Sequence, residues 1–157
     1  MLMRGFKTWL AVVSLMLGLV LLTGFGTRRT KAGSDNSMEG VLHSVAVLKS
    51  GTAQQKAATA YRLGQQRSTD LEVVNALADL LGDRTAIDAS RYRPAAKEQK
   101  STLGEEAAAA LVLIGRPSIP HLIHVLRTSP SVEARKNAAW ALGALHEATA
   151  MPGPVMG

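Results

Sequence analysis

The sequence predicts an all-α chain, a short α-solenoid of about three helix pairs. Three observations predict it. Only 4% of the 157 residues are aromatic, and Ala and Leu dominate. That favours helices packed through small and aliphatic side chains over a β-sandwich, which draws on Val, Thr and Tyr. From Glu39 onward, apolar residues recur at three- and four-residue spacing, the signature of amphipathic helices. Alanine-rich segments also repeat. EEAAAALVLIG (105–115) lies on KNAAWALGALH (136–146) at an offset of 31 residues, and QQKAATAYRLG (54–64) shares the alanine pattern.

Residues 1–26 read as a signal peptide or transmembrane anchor. Trp9 to Phe25 is a run of 17 residues without a charge, preceded by Arg4 and Lys7. As a signal it has a basic start, an apolar stretch and a small-residue site at Thr30-Lys31-Ala32. As an anchor it spans about 25 Å, and extension over 8–27 brings it close to a bilayer core. Arg28 and Arg29 follow directly, so basic residues flank both ends and orientation is not fixed. Leu22-Thr23-Gly24 resembles the start of a lipoprotein processing site, but Phe25 stands where the cysteine would be. The expected location is membrane-anchored or exported: bacterial inner membrane, periplasm or extracellular. Residues 27–38, TRRTKAGSDNSM, read as a flexible linker.

The repeat region, 39–148, divides into pairs at about 40–49 with 52–66, 70–82 with 103–115, and 117–128 with 131–148. First helices carry Val41, Val45 and Leu48; then Val74, Leu77, Ala78 and Leu81; then Ile119, Leu122, Ile123 and Leu126. Gly51, Gly115-Arg116-Pro117 and Ser129-Pro130-Ser131 break the pairs, and Pro117 suits a helix start. In the last helix, Ala138, Ala139 and Ala141 should admit close neighbours, while Leu142 and Leu145 should drive packing. Gly143 costs about 1 kcal/mol of helix propensity, which suggests a steric reason for it. Trp140 is expected to pack back on the third pair, or otherwise to lie at a contact surface. Residues 149–157 read as a disordered tail.

The string VEARKNAAWALGAL, Val132 to Leu145, resembles a HEAT-like repeat of the short type also found in phycobilisome lyases. Residues 104–126 are similar, with Val112 in place of the glycine. The first pair departs more, with Tyr61 and Arg62 at the Leu-Gly positions. The resemblance implies a right-handed α-solenoid used mostly for protein–protein contact, and so a non-enzymatic adaptor.

Charge and motifs narrow the remaining classes. The net charge is +6, but residues 1–32 hold five basic residues and no acid, which leaves 13 basic against 12 acidic residues in 33–157. Bulk charge therefore gives no nucleic-acid footprint. The absence of cysteine excludes a disulfide framework, a thiolate metal site and a cysteine nucleophile. His121 and His124 share a helix face at a spacing that can hold a metal, but both should point outward, and no acidic ligand pairs with them. His146-Glu147 is a single pair, too few for the di-metal site of the HEAT-like deoxyhypusine hydroxylases. No phosphate loop, nucleophile elbow or bilin pocket is evident, so no cofactor, metal or small-molecule substrate is expected. An enzymatic or chromophore-handling HEAT-like protein, or a piece of a longer repeat array, is the alternative. The long link around 83–103 carries Arg91, Tyr92, Arg93, Lys97 and Lys100, and insertions of this kind lie on one face of a solenoid. Arg91, Tyr92 and Arg93, with Arg135 and Lys136 on the last helix, are the expected contacts to another protein.

Overall fold

Most of the helices begin where a side chain satisfies one of their first free N–H groups. The structure, a computed structural model, describes residues 37–93 and 100–150. The expected signal or anchor, nearly all of the linker and most of the tail lie outside those residues. Helix α1 (Met38–Ser50) is capped by Ser37, whose hydroxyl accepts from the Gly40 N–H at 3.2 Å, and it ends at Gly51. Helix α2 (Ala53–Gln65) starts in a reciprocal capping box between Thr52 and Gln55. Asp70 caps α3 (Leu71–Asp79), which tightens into a 3-10 turn at Leu80–Gly82. A second capping box, Thr102 with Glu105, opens α4 (Leu103–Ile114). A short turn at Arg116–Ser118 then leads into α5 (Ile119–Thr128), with prolines in the first turn of each. The last element is α6 (Val132–Ala150).

The six helices form two layers. First helices α1, α3 and α5 lie side by side, and second helices α2, α4 and α6 form the other layer in that order. The expected three pairs are all present. Small residues make the close seams: Ala57, Ala60, Ala107, Ala108, Ala110, Ala138 and Ala141 are buried. Leu48, Leu63, Leu77, Leu81, Leu103, Leu111 and Leu122 fill the space between layers. Each contributes roughly 1.5–3 kcal/mol of burial before the entropy of ordering is subtracted.

The link around 83–103 is partly built. Strands β1 (Ala86–Asp88) and β2 (Lys100–Thr102) pair antiparallel, with Ile87 opposite Ser101. The Gln54 side chain on α2 completes the edge of β1. Its amide donates to the Asp88 carbonyl at 2.7 Å, and its oxygen accepts from the Asp88 N–H at 3.2 Å.

The last pair corrects several expectations. On α6 the buried residues are Ala134, Asn137, Ala138, Ala141 and Leu145. That phase turns Ala139, Trp140 and Gly143 to solvent, and Leu142 is only half-buried. Trp140 is 56% exposed, so it does not pack back on the third pair. Gly143 has no steric role either, since a Cβ there would meet nothing within 4 Å. Gly143→Ala is therefore expected to raise stability by about 0.5–1 kcal/mol, read from urea denaturation. On α5, Leu122 is buried, whereas Ile119 and Ile123 are half-buried and Leu126 is exposed. Among the described residues α5 is the last helix of its layer, so one flank of its apolar face has no neighbour to pack against.

Candidate functional site

The exposed side of the α2–α4–α6 layer carries a continuous groove. One part, about 340 Å³, is lined by Tyr61 and Gln65 of α2, Ala109, Val112 and Leu113 of α4, Trp140 of α6, and Arg93. The adjoining part, about 470 Å³, shares Arg93, Ala109 and Trp140 and adds Lys100, Ser101, Glu105, Glu106, Lys136 and Asn137. The floor is apolar because alanines at the helix seams leave the larger Leu113 and Trp140 standing above them. The rim is charged because the link from α3 to α4 and the first turns of α4 and α6 border it.

A buried clamp holds one wall. Glu106 is 3% exposed, and one of its oxygens accepts from Arg93 Nη2 at 2.6 Å. The Arg93 guanidinium lies 5.1 Å from the Tyr61 ring centroid, within cation–π range. The Tyr92 ring sits 5.7 Å from Tyr61 in a tilted pair. Tyr92 Oη and Arg93 Nε are buried without a hydrogen-bond partner among the described residues. Burial first, and the Glu106 charge second, push the Tyr92 phenol well above its ordinary range. Glu105 behaves differently. It accepts from the Thr102 N–H at 2.9 Å and the Ser101 hydroxyl at 3.1 Å. These bonds, the Thr102 N–H foremost, hold its carboxyl below the usual range.

The five expected contact residues separate into three groups. Arg93 and Lys136 line the groove. Tyr92 belongs to the clamp. Arg91 and Arg135 lie elsewhere: Arg91 is exposed and 3.5 Å from Asp88, and Arg135 donates to the Ser129 and Pro130 carbonyls at 2.8 and 3.2 Å, tying down the α5–α6 turn. Asn137 is a core residue that donates to the Leu81 carbonyl at 2.8 Å. The groove residues that sequence reasoning passed over include Tyr61, Ala109, Leu113 and Glu106, and for Trp140 it favoured the core. The signal for Trp140 was present in the phase of its own helix. His121 is half-buried and His124 is exposed. Among the described residues, no three His, Cys, Asp or Glu side chains gather closely enough to hold a metal ion. Among them, too, no helix is long and apolar enough to cross a membrane.

A family model described as the Armadillo/beta-catenin-like repeat matches residues 112–145. The matched stretch runs from the last turn of α4 through most of α6 and includes Leu113, Lys136 and Trp140. This repeat is related to the HEAT-like one, and the match suggests a protein–protein interaction module. Comparison with curated proteins found no match, and comparison with solved structures found none. The layering, the alternating first and second helices and the family match make the chain a helical repeat protein.

Proposed function

We propose that the chain is a non-catalytic interaction module that binds a segment of another protein along the α2–α4–α6 layer. The observation that carries this is Trp140, a large aromatic 56% exposed beside Leu113 and Ala109 in a groove. Exposing so much indole to water is unfavourable, and burying it in a partner would recover that free energy. Tryptophan is also among the residues that most often dominate binding energy at interfaces. Solenoid layers present extended surfaces suited to this use. The chain's N-terminal run from Trp9 to Phe25 supports delivery to, or tethering at, a membrane through residues 8–27, with the repeat domain held beyond the linker.

The test uses the full chain with a photo-crosslinking residue in place of Leu113, expressed in its native cells. A discrete crosslinked protein is expected, and Trp140→Ala should weaken its binding by at least about 30-fold, the cost of roughly 2 kcal/mol at a dominant contact. Substituting Asn75, exposed on α3 in the opposite layer, should leave binding unchanged. Loss through Asn75 with no effect of Trp140→Ala would move the binding surface to the other layer and overturn the proposal.

A further inference from the structure

The edge of the stack beyond the third helix pair carries the residues of a packed seam. Inside the chain, Gly104 of α4 lies against Asn137 of α6. Ala108 and Leu111, one and two turns further along the same flank of α4, are fully buried. At the offset of 31 residues these two positions recur on α6 as Ala139 and Leu142. There Ala139 is exposed and Leu142 is half-buried. The other layer repeats the contrast. Ala78 and Leu81 of α3 are buried, while their counterparts on α5 are Ile123, half-buried, and Leu126, 37% exposed. The third pair thus keeps seam side chains with no further pair upon them among the described residues. The first pair ends the stack differently. Gly64 turns one flank of α2 to Ala110. The opposite flank holds Gln55, Thr59 and Arg62, and Arg62 donates to the Ser44 hydroxyl of α1 at 3.2 Å. One edge of the stack is polar and the other apolar.

We infer that the apolar edge is a dimer interface, covered by the same edge of a second copy of this chain about a twofold axis. Stacking copies head to tail would press the apolar edge onto Gln55 and Arg62 and bury polar groups without partners. Twofold pairing sets like on like, closes after two copies, and continues each helix layer across the axis. The edge is self-complementary in shape. Leu142 projects, while Ala139 and Gly143 leave a notch, since nothing in the chain comes within 4 Å of a Cβ at Gly143. With the two α6 helices antiparallel, Leu142 of each copy enters the notch of the other. Charge agrees with that direction. The crossing brings the start of one α6, where Arg135 lies, to the end of the other. There Glu147 is exposed and has no ion pair among the described residues. Arg135 keeps its charge while it donates to the Ser129 and Pro130 carbonyls. The Trp140 groove lies on the α4 side of α6 and stays open in both copies, so this inference stands apart from the interaction reading above.

The experiment exploits the absence of cysteine from the chain. The detergent-solubilised full chain carrying Ala139→Cys is treated with a short bismaleimide. A covalent product of twice the chain mass is expected, because the two copies of position 139 lie close to the axis. Adding Gly143→Glu, at an exposed position, fills the notch and should lower the yield about tenfold or more. An unchanged circular dichroism spectrum will establish that this variant is folded. A doubled product whose yield ignores Gly143→Glu would place the association elsewhere in the chain, such as residues 8–27, and overturn the inference. A mixture in which Ala139→Cys links only to Gln55→Cys, and never to itself, would mark head-to-tail stacking and overturn it too. So would the absence of any cross-link together with a monomer mass by light scattering. Repeated in the native cells, the reaction should again give the doubled mass. A product of another mass in its place would assign the edge to a different protein and overturn the second copy as its occupant.

Discussion

Glu106→Ala is expected to cost about 3 kcal/mol of folding stability, because it breaks a buried ion pair from one side. The carboxylate is 3% exposed and meets Arg93 at 2.6 Å. Arg93 itself is three-quarters buried, at 25% side-chain exposure, and its Nε already lacks a partner. Removing the carboxylate leaves a guanidinium over the Tyr61 ring with no counter-ion. The cheapest response is for Arg93 to leave for solvent and take the start of the link between α3 and α4 with it. Hydrogen exchange should then rise at the Ile87 and Ser101 amides before it rises at Leu77 or Leu111. The control is Glu105→Ala. That residue is exposed and serves a capping box, so its loss should cost only about 1 kcal/mol. Urea denaturation of the two variants compares them directly. Equal costs would mean that the Arg93–Glu106 pair does not brace the link.

Gly104→Ala is the second large effect, at about 2–3 kcal/mol, through overpacking. A Cβ on Gly104 would lie 2.6 Å from the Leu81 carbonyl oxygen, 2.9 Å from Asn137 Nδ2 and 3.0 Å from the Asp83 carbonyl oxygen. Two of these atoms are backbone and cannot swing aside. Asn137 Nδ2 donates to the Leu81 carbonyl oxygen at 2.8 Å, so the added methyl would wedge into the bond that joins α6 to the end of α3. Loss of that buried bond adds its own penalty, since both partners would be left without water. Gly143→Ala in the same assay should move the other way. The two substitutions are chemically identical, and only the surroundings differ. A loss below 1 kcal/mol at Gly104 would mean that the seam between α3, α4 and α6 can relax.

The helix pairs were legible because burial in a two-layer stack leaves a three- and four-residue apolar period, and because Gly51, Gly115-Arg116-Pro117 and Ser129-Pro130-Ser131 break it. The β ribbon was not legible. Its strands, Ala-Ile-Asp and Lys-Ser-Thr, are three residues each and show no alternation, and β1's edge is completed by Gln54, 34 residues before Asp88. Trp140 invited burial by its size, yet the period of Ala134, Ala138, Ala141 and Leu145 puts it off the buried face. Arg93 looked like one member of a surface charge run. Its partner Glu106 stands in an alanine-rich helix start, where nothing local marks a carboxylate as buried. On α5, Ile123 and Leu126 carry a core-like period with nothing to pack against on one flank. Periodicity reports which face is apolar. It does not report whether anything covers that face.

The clamp of Tyr61, Tyr92, Arg93 and Glu106 joins α2, the α3–α4 link and α4 across the seam between the first two pairs. In mechanical terms, those two pairs are expected to move as one plate. The third pair meets that plate through alanine contacts and the Asn137–Leu81 bond, and Trp140 rides on it. On the binding reading proposed above, that seam is where the groove would widen for a guest.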